Sequence, residues 1–92
     1  MTTQSNEVLW HVYMVRCIDG SLYTGIAKDV DARVLQHNAG QGAKYTRAKR
    51  PVVLVYQEPA ESHRAALERE AAIKRLRPEK KRLLLKNNLE ST

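Results

Sequence analysis

Tyr13, Tyr23, Arg33, His37 and Glu70 stand in that order along the chain and supply two phenols, a guanidinium, an imidazole and a carboxylate. Phosphodiester cleavage needs such functions: a group to take a proton from water, a cation to hold charge on phosphate, and an oxygen donor for a divalent metal. Each residue taken singly has an ordinary explanation. Tyrosines are more often core or interface aromatics than catalytic groups. An Arg-His pair four residues apart, as Arg33 and His37 are, more often marks a solvated helix flank. The ordered set, on a strongly basic chain, makes a nucleic-acid enzyme the leading reading.

The elements that must hold these residues follow from local pattern. Leu9 to Cys17 is rich in aromatic and β-branched residues and predicts a strand. Asp19-Gly20 marks a hairpin turn, because both residues tolerate positive φ, and Leu22 to Ile26 returns as the second strand. Asp29 is the expected N-cap of a helix through Val30, Val34 and Leu35, ended by Gly40 and Gly42. Residues 42–50 then read as a basic loop or short turn, and Pro51 to Tyr56 as a third strand. A longer helix is expected from Ser62 to Arg77, stopped by Pro78, with a last helix over Glu79 to Leu89. The order strand, strand, helix, strand, helix, helix predicts one α/β (α+β) domain over residues 9–89 around a small sheet, preceded by a flexible lead over residues 1–8.

Two positions carry sharper demands. Glu70 lies three residues after Leu67, three before Ile73 and four after Ala66, which puts a carboxylate in the middle of the apolar helix face. Burying it requires a cation or a metal; a structural salt bridge, with Arg33 as one candidate partner, weighs evenly against a functional site. For the tyrosines, register decides. A two-residue Asp19-Gly20 turn pairs Arg16 with Tyr23 and sends Tyr13 and Tyr23 to opposite faces. A shared site needs one more residue in the connection or a bulge, and Ser21 leaves room for a three-residue loop with glycine in αL.

Composition narrows the partners. Sixteen Lys and Arg against ten Asp and Glu give a net charge of +6, which favours a polyanion. Lys44, Arg47, Lys49 and Arg50 interleave with Tyr45 and Thr46, and residues 69–86, Lys74 among them, hold eight basic side chains against two carboxylates. Such surfaces give affinity for phosphate backbones without sequence preference. No apolar stretch reaches the length of a membrane helix, no signal peptide is evident, and Cys17 is the only cysteine, so a cytoplasmic monomer is expected. His11, His37 and His63 are too scattered for a zinc site.

At this point the residues resemble the GIY-YIG nuclease superfamily, specifically its small stand-alone bacterial members. The two signature triplets are His11-Val12-Tyr13 and Tyr23-Thr24-Gly25. The likeness continues through Arg33, His37-Asn38, the loop Gly42 to Arg47, Arg50-Pro51, and Glu70 with Ile73-Lys74, so it covers roughly Trp10 to Leu85. The resemblance implies a three-stranded antiparallel sheet flanked by about three helices. It implies a divalent metal held by Glu70, Mg²⁺ with Mn²⁺ as substitute, and water filling the shell. It implies Tyr23 or a neighbour as base for water, Tyr13 in support, Arg33 on the phosphate, and His37 assisting proton transfer or phosphate contact. His11 stands where the family has glycine and Thr24 where it has isoleucine; the late asparagine of several branches has no secure match, with Asn87 and Asn88 both lying near the end.

The function expected is therefore a metal-dependent endonuclease of low sequence specificity, with DNA favoured over RNA. The alternative is a non-catalytic nucleic-acid-binding module on the same scaffold. A third reading uses Leu83, Leu84, Leu85 and Leu89 to dock a larger protein; against it, these leucines close the domain's own core.

Overall fold

The hairpin closes where the turn residues demand it, but through a three-residue loop. In the computed structural model, which describes residues 9–90 with side chains through residue 86, strand β1 is Trp10–Arg16 and β2 is Leu22–Ala27. The Cys17 amide donates to the Ser21 carbonyl (2.8 Å) and the Gly20 amide to the Cys17 carbonyl (2.9 Å), with Gly20 at φ 88°. This is the type I turn followed by a left-handed glycine that three-residue hairpins favour. Asp19 accepts from both the amide and the hydroxyl of Ser21 (3.0 and 2.6 Å). The resulting register pairs Arg16 with Leu22 and Tyr13 with Gly25, so Tyr13 and Tyr23 share a face.

The remaining elements are helix α1 (Val30–Asn38), short helix α2 (Lys44–Arg47), strand β3 (Val53–Ala60), helix α3 (His63–Lys74) and helix α4 (Pro78–Glu90). The sheet is three-stranded and antiparallel, as the resemblance implied; its strand order is β2-β1-β3, and α2 adds a fourth helix within the basic segment. The expected lead over residues 1–8, and the side chains of Asn87, Asn88 and Leu89, lie outside the described residues.

Boundaries moved for identifiable reasons. Strand β3 begins at Val53 rather than Pro51 and runs on through Pro59, which an edge strand tolerates. Its register against β1 shifts between Met14 and Val15, where Val55 is the extra residue of a bulge. Asp29 caps α1 by accepting from the Ala32 amide (3.0 Å), as expected. Gly40, at φ 82°, ends it: the Gly40 and Gln41 amides reach back to the His37 and Gln36 carbonyls (3.1 and 2.9 Å). Ser62 caps α3, whose last helical residue is Lys74, short of the expected Arg77.

Alternation along β1 sends Tyr13, Val15 and Cys17 to one face, where Ala27, Val30 and Val52 join them, with Val34 packed alongside. Val12 and Met14 face the other way, against Ala66 and Ile73 of α3 and Leu84 and Leu85 of α4. Leu84 and Leu85 thus close the domain's own core, while Leu83 is 49% exposed. Two residues read as apolar-face positions prove exposed: Leu35, at 72%, and Leu67, at 43%. The inward stripe of α1 is Val30, Val34 and His37 instead.

Candidate active site

His37 is the pivot. It lies on α1 four residues after Arg33, yet it is 1% exposed and both ring nitrogens are bonded, which a solvated flank would not show. Nε2 meets the Tyr13 hydroxyl at 2.8 Å, and Nδ1 meets Thr46 Oγ1 at 2.7 Å. The proton positions follow from the far end of the chain. Thr46 Oγ1 donates to the Ala43 carbonyl (3.0 Å), an acceptor only, so the hydroxyl must accept from His37 Nδ1–H. Nε2 is then the acceptor for Tyr13 Oη–H. Burial first, and the nearby Arg33 charge second, hold His37 below its ordinary pKa and favour this neutral tautomer.

Tyr13 matches that assignment. Its pKa is pushed up to about 12, chiefly by burial and then by the adjacent Tyr23 phenol, with Arg33 pulling the other way. The phenol stays protonated at neutral pH and donates to His37. Its route to His37 passes over Gly25, where a Cβ would sit 2.6 Å from Tyr13 Oη and 2.8 Å from Cζ. The glycine ending the second triplet is therefore required by the tyrosine ending the first. Gly42 plays the same part on the other side, since a side chain there would run into the His37 ring.

Tyr23 shares Tyr13's face and approaches His37 edge-on at 5.4 Å between ring centroids. Tyr45 stacks on its outer side at 5.7 Å and 25°. Lys49 lies over Tyr45, with Nζ 4.1 Å from the ring centroid, and also pairs with Asp19 at 3.2 Å. The pKa of Lys49 is raised by its hydrogen bonds to Tyr45 and then Asp19.

Glu70 comes from α3, which packs on the sheet face of Val12 and Met14. Its side chain is 18% exposed, and the carboxylate pairs with Lys74 at 3.2 Å, one turn on, rather than with Arg33. Lys74 Nζ is in turn 5.9 Å from the Tyr23 ring centroid. Tyr13 feels the charges of both Arg33 and Glu70. The five residues named from the sequence are thus brought together, with Tyr13 and His37 buried and Tyr23, Arg33 and Glu70 half-buried on the accessible side.

The basic segment divides. Lys44, Tyr45 and Arg47 are exposed on α2, with Tyr45 against Tyr23; Arg50 is exposed too but tied to its neighbours, Nε donating to the Arg47 carbonyl (2.8 Å) and the guanidinium packing on Gly40. Asn38 is a clamp, donating to the Val52 carbonyl (3.0 Å) and accepting from its amide (2.7 Å). Thr46, fully buried, is the site residue that sequence reasoning passed over. Its only signal was a hydroxyl amid a run of Lys and Arg.

A model of the GIY-YIG catalytic domain matches residues 9–82. The chain belongs to the GIY-YIG family. It is also 61% identical over 75 residues to a UPF0213 protein of Staphylococcus aureus, covering 82% of this chain and 92% of that one. Two solution NMR structures have the same fold. The UPF0213 protein BH0048 from Bacillus halodurans is 40% identical, with TM-score 0.56 over 86% of this chain and 84% of its own. Protein EF2693 from E. faecalis is 35% identical, with TM-score 0.59 over 94% and 93%. As a GIY-YIG nuclease-family domain the chain is of a class that acts on nucleic acid. No helix among the described residues is long and apolar enough to cross a membrane.

Proposed function

We propose that this GIY-YIG domain is a metal-dependent endonuclease that hydrolyses phosphodiester bonds with low sequence specificity, DNA before RNA. The observation that carries the reading is the buried Tyr13–His37–Thr46 chain, with Tyr23 edge-on to His37 and with Arg33 and Glu70 near enough for their charges to reach Tyr13. Because Tyr13 is 1% exposed and its proton is committed to His37, these two residues hold the site in shape. Tyr23 is the phenol within reach of substrate; its Oη takes the proton of the attacking water as its own proton passes to a phosphate oxygen. Arg33 carries the charge of the phosphate. Exposed Lys44, Tyr45 and Arg47, with Lys49, Arg50 and Lys74 behind them, supply sequence-independent contacts to the backbone.

The donor chemistry bears on the metal. Among the described residues no group of three or more His, Cys, Asp or Glu could cage an ion. One half-buried carboxylate beside phenols fits a hard cation that keeps most of its own water, such as Mg²⁺ or Mn²⁺, and Glu70 would hold it. When bound, such an ion polarises the phosphate as a Lewis acid.

One contact favours the binding-only alternative: the Lys74 ammonium already sits on Glu70. Cleavage of labelled duplex, branched and single-stranded DNA and RNA, with Mg²⁺ or Mn²⁺ and with EDTA, separates the two. The endonuclease reading expects metal-dependent cutting that falls about 10²-fold or more in Glu70→Ala and Arg33→Ala while the fold persists. Tight binding with no cutting under any metal would establish the alternative.

A further inference from the structure

The face of the sheet opposite the tyrosines carries a second concentration of positive charge. Pro78, Lys81, Arg82 and Leu85 recur on α4 at the spacing that puts them on one helical stripe. That stripe faces Arg16 at the end of β1 and Leu22, its partner across the hairpin. Between them lies a cavity of about 510 Å³. Arg16, Lys81 and Arg82 line it, and no carboxylate does. Among the described residues none of the three forms an ion pair, and Asp19 in the adjoining turn is already held by Lys49 and Ser21. Three like charges turned toward one space repel unless an anion lies among them. Leu22, Pro78 and Leu85 give the same space an apolar wall.

We propose that this cavity receives one nucleotide unit of a polynucleotide strand, outside the cleavage site. The phosphate lies among Arg16, Lys81 and Arg82, and the sugar or base lies against Leu22 and Leu85. The volume is in the range of pockets that take ligands of that size. The inference rests on the nucleic-acid reading above, because it is the substrate's own backbone that supplies the anion. Leu22 and Tyr23 are adjacent and face opposite ways, so a strand engaged at both places must pass from one face of the sheet to the other, around the β1–β2 turn or over the edge strand β2.

The test is amide NMR of the full chain in EDTA, titrated separately with a single-stranded oligonucleotide, a nucleoside monophosphate, inorganic phosphate and anionic lipid vesicles. The oligonucleotide is expected to shift the amides of Ser21, Leu22 and residues 81–85 together with those around Tyr23 and Tyr45. In Arg16→Gln/Lys81→Gln/Arg82→Gln the first set of shifts disappears and the second remains. The slope of log affinity against log salt drops by about 0.7 for a single strand, as one phosphate loses its contacts. The charge-preserving Arg16→Lys/Arg82→Lys variant keeps the slope. If the Gln variant does not fold, the wild-type shifts decide alone. Shifts confined to the tyrosine face overturn the second site and leave the nuclease reading standing. Shifts at the cavity from the vesicles or small phosphates but not the oligonucleotide overturn its occupant. No oligonucleotide response on either face removes both readings.

Discussion

Gly25→Ala is the change that strains the site most directly. The added Cβ would stand 2.6 Å from Tyr13 Oη, whereas real Cβ atoms essentially never come closer than 3.0 Å to a neighbour. The phenol must therefore retreat by at least the 0.4 Å that separates those figures. It has little room, since Tyr13 is 1% exposed and its oxygen is already 2.8 Å from His37. Overpacking of this kind costs about 1–3 kcal/mol, and a weakened buried hydrogen bond adds about 1 kcal/mol. Urea denaturation should thus show a loss of about 2–4 kcal/mol. In a Tyr13→Phe background the contact with oxygen is gone and the nearest atom is Cζ at 2.8 Å, so the penalty should shrink. The double-mutant cycle isolates that coupling, expected at about 1 kcal/mol. Equal penalties in the two backgrounds, or a Gly25→Ala protein within about 0.5 kcal/mol of wild type, would refute the argument.

Two further outcomes follow from buried polar groups. The imidazole of His37 is held below its ordinary value of 6.5 by burial, so between its folded and unfolded pKa values the unfolded chain binds a proton that the folded chain does not. Its contribution is complete above about pH 6.5 and is lost as pH falls toward the folded pKa, at up to about 1.4 kcal/mol per pH unit. Denaturation between about pH 7.5 and about pH 5.5 should therefore be steeper in pH for wild type than for His37→Gln, and parallel curves would contradict it. Thr24 is 3% exposed and its hydroxyl has no hydrogen-bond partner among the described residues. Thr24→Val should raise stability by about 1 kcal/mol and the melting temperature by about 4–8 °C, and a loss of stability would show that the hydroxyl is satisfied.

The sequence was most informative where the relevant contact is local. Asp29 and Ser62 cap their helices as their side chains allow, and the hairpin's two alternative registers could be written down beforehand with their consequences for Tyr13 and Tyr23. Helical spacing correctly set Glu70 beside Ala66 and Ile73 on the inward side of α3. It failed for Leu35 and Leu67, because periodicity marks a stripe but not its edges, and what covers an edge comes from elsewhere in the chain. The same limit hid the pairing of His37 with Tyr13, 24 residues away, and with Thr46. No local pattern separates an imidazole that will be enclosed from one that will face water. Glu70 shows the intermediate case: the need for a cation was visible in its position, while the choice of Lys74 over Arg33 depends on how α3 is set against the sheet.

The three-residue loop between Cys17 and Ser21 has a bearing on how this chain can vary. Ile18 at its first position is 65% exposed, so many side chains would be accepted there. Length is another matter. One residue added or removed would leave two good strands, a buried sheet and every side chain of the site still encoded, yet Tyr23 would turn its back on Tyr13. Tolerance is thus wide for identity at Ile18 and closed for the number of residues in the turn, and single-residue insertions there should inactivate the site while sparing the hairpin.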